Sequence, residues 1–145
     1  MTGSRGRILW LILLLVWSGT IWWALTTTRV GAGPLFPGSS FVFNVGHAVI
    51  FAVEALLIAW VWEPGMRPGQ GRWMLASGLA WIYSGALEWR QGFIEGRQSS
   101  VADLVTNALG AFGVPWMLAV PEQRTRRMLL VGVGTLVSAL VDTLS

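Results

Sequence analysis

Five long apolar runs, beginning near Ile8, Phe41, Trp73, Val101 and Met128, leave this chain few ways to fold. A hydrocarbon layer of about 30 Å is crossed by roughly 20 mostly apolar residues in a helix, the one local structure that satisfies its own backbone where there is no water. Hydrophobic residues make up 54% of the chain and charged residues 12%, and mean hydropathy is +0.60, a composition suited to a bilayer and not to a soluble core. The expected fold is all-α: a polytopic transmembrane helix bundle of about five spans, forming a single domain over residues 1–145.

Local signals mark where the runs stop. The first run follows Arg5 and Arg7 as a signal peptide would, but it continues past a normal apolar core and carries no small-x-small cleavage pattern before Trp22 and Trp23, so it reads as a retained span. The second ends at Pro64, Gly65 and Pro68, which break helices and suit an exposed turn. The third is expected from Trp73 to about Phe93. The fourth starts after Ser100, a good N-cap with Asp103 three residues on in a capping-box arrangement, and is expected to end at Pro121. The fifth carries only small residues suited to helix packing.

Charge sets the expected orientation. All ten basic residues are arginines, scattered between the runs, which argues against nucleic acid as a partner. Arg5, Arg7, Arg67, Arg72, Arg124, Arg126 and Arg127 fall on one side, against Arg29, Arg90 and Arg97 on the other. Positive loops stay cytoplasmic, so the N-terminus is expected inside and the 88–107 stretch outside, in a multi-pass protein of the cytoplasmic (inner) membrane. The chain has no cysteine, which excludes disulfides and thiolate chemistry.

Polar residues interrupt the apolar runs at helical spacing. Asn44 and His47 are i, i+3; Ser84, Glu88 and Gln91 are i, i+4, i+7; Asp103, Asn107 and Gly110 repeat that step. At about 1.5 Å per residue, Glu88 stands roughly 7 Å, and His47 and Asn107 roughly 9 Å, inside the outer ends of their spans. Three helices are therefore expected to bring polar side chains to one depth, lining a pocket open to the outer surface. Arg97, in the short connection, is the nearest cation for Glu88 and Asp103. Gly78 with Gly85, and Gly110 with Gly113, are expected to let helices approach closely. Glu54, about 10 Å along the helix from His47, is expected to be protonated or paired, with no partner evident.

The run Gly46-His-Ala-Val-Ile-Phe51, followed by Glu88-x-x-Gln91, Arg97, Ser100, Asp103-x-x-x-Asn107-x-x-Gly110-x-x-Gly113, resembles the VanZ-like family of small bacterial membrane proteins across spans two to four. The chain departs from that pattern at Phe43 and Asn44, where the family carries an acidic-basic pair, and at Glu54, where it carries an aliphatic residue. The resemblance implies that His47, Glu88, Gln91, Arg97, Asp103, Asn107 and Gly110 match the family's signature positions. It also implies a link to the cell envelope and to resistance to the glycopeptide antibiotic teicoplanin.

Each polar residue carries two readings. His47 is either an acid, base or ligand, or an interhelical hydrogen-bonding group tied to Glu88 or Asn107. Asp103 is either a functional carboxylate or a cap. Glu88, near the end of a helix, has no capping role available to it and reads as functional. Arg97 either binds an anionic headgroup or neutralises the two carboxylates. A lone histidine without a second one in ligand spacing leads us to expect no metal and no cofactor. The pocket, His47, Glu88, Gln91, Arg97, Ser100, Asp103 and Asn107, is expected to recognise an envelope lipid headgroup, a lipid-linked envelope precursor or an amphiphile. The alternative is an enzyme acting on a lipid-linked phosphate at the outer leaflet, with His47 or Glu88 as acid/base.

Overall fold

The computed structural model describes residues 4–27, 39–62, 70–94, 100–119 and 130–137. They form five helices: α1 (Ser4–Thr27), α2 (Ser39–Trp62), α3 (Gln70–Gln91), α4 (Val101–Ala119) and α5 (130–137). The all-α expectation holds. Two stretches, Ser4–Thr26 and Val45–Trp62, are long and apolar enough to cross a membrane, at about 34 and 27 Å of helix. The other described helices do not reach that mark. α3 carries Ser77, Ser84, Glu88 and Gln91, which lower its hydropathy, and the apolar stretch of α4 is the shorter Val101–Val114.

α2 is the hub, packing against α1, α3 and α4, while α1 also touches α3 and α3 touches α4. α1 contributes a narrow stripe. Trp10, Leu14, Trp17, Ser18, Ile21 and Leu25 recur at i, i+3/i+4 and are shielded, with apolar residues on every other side of the helix exposed. Ile21, Phe51, Ala55, Ala80, Leu87 and Ala111 form the main core. Ala59, Trp73 and Ala76 form a second at the far end of α2. The alanines let backbones come close where larger side chains would hold helices apart.

The helices place polar groups inside and large apolar groups outside. Glu54, Ser77, Ser84, Glu88, Gln91, Thr106 and Asn107 are all buried, whereas Ile8, Leu15, Val16, Ile82, Trp89 and Val101 are each more than half exposed. Exposed hydroxyls on the apolar helices are satisfied locally: Thr20 donates to the Val16 carbonyl at 2.8 Å and Thr26 to the Trp22 carbonyl at 2.6 Å.

Glycine acts in one of the two expected pairs. A Cβ on Gly110 would lie 2.7 Å from Ala48 Cα and overlap the Ala48 carbonyl oxygen, so α2 and α4 cross backbone to backbone there. A Cβ on Gly113 would come within 2.6 Å of Val131, which seats α5 on α4. Gly78 has open space around it and Gly85 meets Leu104 only at an ordinary 3.8 Å, so this pair does not mediate a close approach. α4 also continues through Pro115, which has no N–H to offer the Ala111 carbonyl, an interruption that bundled membrane helices tolerate.

Candidate functional site

α3 ends earlier than its apolar run suggests. Gln91 is its last residue, and Gly92, Phe93 and Ile94 form a tight turn whose N–H groups reach the carbonyls of Glu88, Arg90 and Gln91. Glu88 therefore stands in the last turn of α3, beside the start of α4.

There it meets Ser100. The Ser100 backbone N–H donates to Glu88 Oε1 at 2.5 Å, while Ser100 Oγ accepts from the N–H groups of Ala102 and Asp103 at 3.1 and 3.3 Å. Ser100 is thus the N-cap of α4, as its sequence position suggested. In a capping box the residue at Asp103's position would take the cap's own N–H; Glu88 takes it here, from a different helix. The expectation that Glu88 has no capping role is overturned, because the cap it serves is its neighbour's. Asp103 stays in the first turn of α4, where a carboxylate is favoured by the helix dipole. Ser100→Ala is expected to cost about 0.5–2 kcal/mol, and Ser100→Asp to restore most of it. Thermal unfolding in detergent, with amide exchange at Ala102 and Asp103, measures both.

The polar residues occupy two tiers and not one. Glu88, Gln91, Ser100 and Asp103 form the upper tier, with Glu88 and Gln91 buried on the inner face of α3. Asn107 lies roughly 10 Å further along α4 than Ser100. With Thr106 and Gly110 it forms a lower tier on the buried face of that helix. His47 joins this lower tier, since its neighbour Ala48 is the residue pressed against Gly110, and it is half-buried. The depth count assumed that α3 runs to Phe93. Its earlier end raises Glu88 relative to Asn107.

Asn107 is 1% exposed and its Oδ1 has no hydrogen-bond partner among the described residues. A buried acceptor left unmatched is costly and calls for a donor from water or a ligand. Thr106, fully buried beside it, was not singled out from sequence. Its place one step before Asn107 and three after Asp103 was the available signal. Arg97 and the side chain of Asn44 lie outside the described residues, as do Arg29, Arg67, Arg124, Arg126 and Arg127, on which most of the expected orientation rests. Among the described residues no group of three or more histidine, cysteine, aspartate or glutamate side chains is placed to hold a metal.

Below the upper tier, on the opposite side of α4 from α2, runs an apolar groove of about 720 Å³. Trp73 and Trp81 of α3, Leu104, Phe112 and Trp116 of α4, and Val131 of α5 line it. Leu104 to Trp116 is about 18 Å of helix. Trp81 fixes its upper rim by donating Nε1–H to the Leu104 carbonyl at 3.2 Å.

No partner for Glu54 is evident from the sequence. The structure provides one: Ser18 Oγ donates to Glu54 Oε1 at 2.8 Å, and the Tyr83 hydroxyl donates to the Ser18 carbonyl at 2.7 Å. Three helices, α1, α2 and α3, meet in this polar junction.

Compared with known proteins, the chain matches no family model, no curated protein sequence and no solved structure.

Proposed function

We propose that the chain is a polytopic membrane protein of VanZ-like type, with its N-terminus in the cytoplasm, whose two-tiered polar pocket between α2, α3 and α4 opens to the outer face and recognises the headgroup of an envelope lipid or lipid-linked precursor. The carrying observation is Asn107. A fully buried amide presents an unmatched acceptor on the buried face of α4, and a polar group bearing hydrogen-bond donors would match it. The distribution of polar residues inside and large apolar residues outside supports the membrane setting, because lipid solvates the exposed face that water would penalise.

The groove supports a lipid over a water-soluble ligand. Its volume falls within the usual range of ligand sites, about 300–1,000 Å³, and its upper rim at Leu104 lies one turn from Ser100. An acyl or isoprenoid tail would lie along it, starting one turn below Ser100. Binding is favoured over acid/base chemistry because Glu88 Oε1 is committed to the Ser100 N–H.

Lipid extraction and mass spectrometry of the purified protein test this reading. Wild type is expected to carry one enriched headgroup class that Arg97→Ala loses. The same lipid profile in both, matching the bulk membrane, would remove the proposal.

A further inference from the structure

Two turns along α2 from His47, on the same inner stripe, Glu54 is 3% exposed in the middle of the bundle. Its Oε1 takes the Ser18 hydroxyl hydrogen, and its Oε2 is buried with no partner among the described residues. Tyr83 brings a hydroxyl to the junction but spends its hydrogen on the Ser18 carbonyl, so neither donor reaches Oε2. The arginines on these helices sit at their ends: Arg7 is about 16 Å along α1 from Ser18, and Arg90 is about 10 Å along α3 from Tyr83. None is at the level of the carboxyl.

We propose that this junction is a proton-binding site: the Glu54 carboxyl takes up and releases one proton on Oε2, with Ser18 holding Oε1 and Tyr83 holding Ser18. A bare carboxylate at this depth would be an unpaired buried charge, whereas the neutral acid leaves only one weak donor unmatched. A metal ion fits poorly, because the hydrogens of Ser18 and Tyr83 already point at the oxygens that would have to ligate it. Of the titratable groups near Glu54, α3 contributes Tyr83 and α2 itself contributes His47, two turns away with Phe51 between them. α1 offers no titratable group at this level, only the Ser18 hydroxyl and the buried Trp17 indole N–H, and the one carboxylate of described α4, Asp103, is in its outermost turn.

The proposal rests on the membrane reading, and the experiment separates the two. The full chain in native membranes is treated with dicyclohexylcarbodiimide, an apolar reagent that consumes protonated carboxyls. The acid adds across one C=N bond, its proton passing to nitrogen and its oxygen to the central carbon, and acyl migration leaves a stable N-acylurea with no leaving group. Peptide mass spectrometry is expected to find the adduct on Glu54, declining as pH rises, weaker with a water-soluble carbodiimide, and lost in Glu54→Gln. Glu54→Asp, which keeps an acid, should retain pH-dependent labelling if Glu54→Gln fails to fold. Label on Glu88 or Asp103 but none on Glu54, or protection of Glu54 by sodium at constant pH, would overturn the proposal. Carbonate extraction of the same membranes reports on the setting: release of the protein from the pellet would sink the membrane reading, whatever the labelling shows.

Discussion

Gly110→Ala is expected to be among the most damaging single changes in the described chain, lowering stability by about 2–3 kcal/mol although it adds only a methyl group. In an open helix position the same exchange gains up to about 1 kcal/mol, because alanine is the better helix former. At Gly110 the added carbon would overlap the Ala48 carbonyl, and backbone cannot rotate aside as a side chain can. α2 and α4 would have to part. Gly78→Ala is the matched control, since nothing lies within 4 Å of a Cβ there. It should hold or slightly raise the melting temperature. Detergent thermal unfolding of the two variants decides, and equal melting points would refute the backbone crossing.

Glu88→Leu should be the second large loss, about 1–3 kcal/mol, because it leaves the Ser100 N–H without its acceptor where α3 joins α4. Glu88→Gln retains a carbonyl oxygen and should recover most of that stability. The pair also separates the two functional readings. With folding preserved, Glu88→Gln should keep part of the lipid co-purification if the pocket binds, whereas an enzyme using Glu88 as acid/base would lose most of its turnover on lipid-linked phosphate. Turnover unchanged by Glu88→Gln would eliminate acid/base chemistry at that residue.

The helices were legible because apolar runs near 20 residues leave a membrane-type helix as the simplest solution, and because serine, proline and glycine punctuate their ends. The spacing of Ser84, Glu88 and Gln91 reported a shared face, and all three are buried. What spacing along one helix does not encode is the register between helices. Glu54 and Ser18 are separated by 36 residues, and Glu88 and Ser100 meet only because α3 stops at Gln91. The glycines make the same point: Gly78 and Gly85, a heptad apart, face open or ordinary surroundings, while Gly110 touches backbone. Thr106 carries little signal of its own in the sequence, since threonine in an apolar helix commonly bonds the carbonyl one turn back, as Thr20, Thr26 and Thr135 do.

Phe51 is 1% exposed and occupies the turn of α2 between His47 and Glu54. Its ring interrupts what would otherwise be a file of hydrophilic groups descending along α2 from His47 toward the middle of the bundle. In the proposed membrane setting, a protein built this way would hold an acid deep inside without short-circuiting an ion gradient. A proton reaching Glu54 from the His47 side would have to pass that ring, by a breathing motion of an aromatic plug and not along a standing water column.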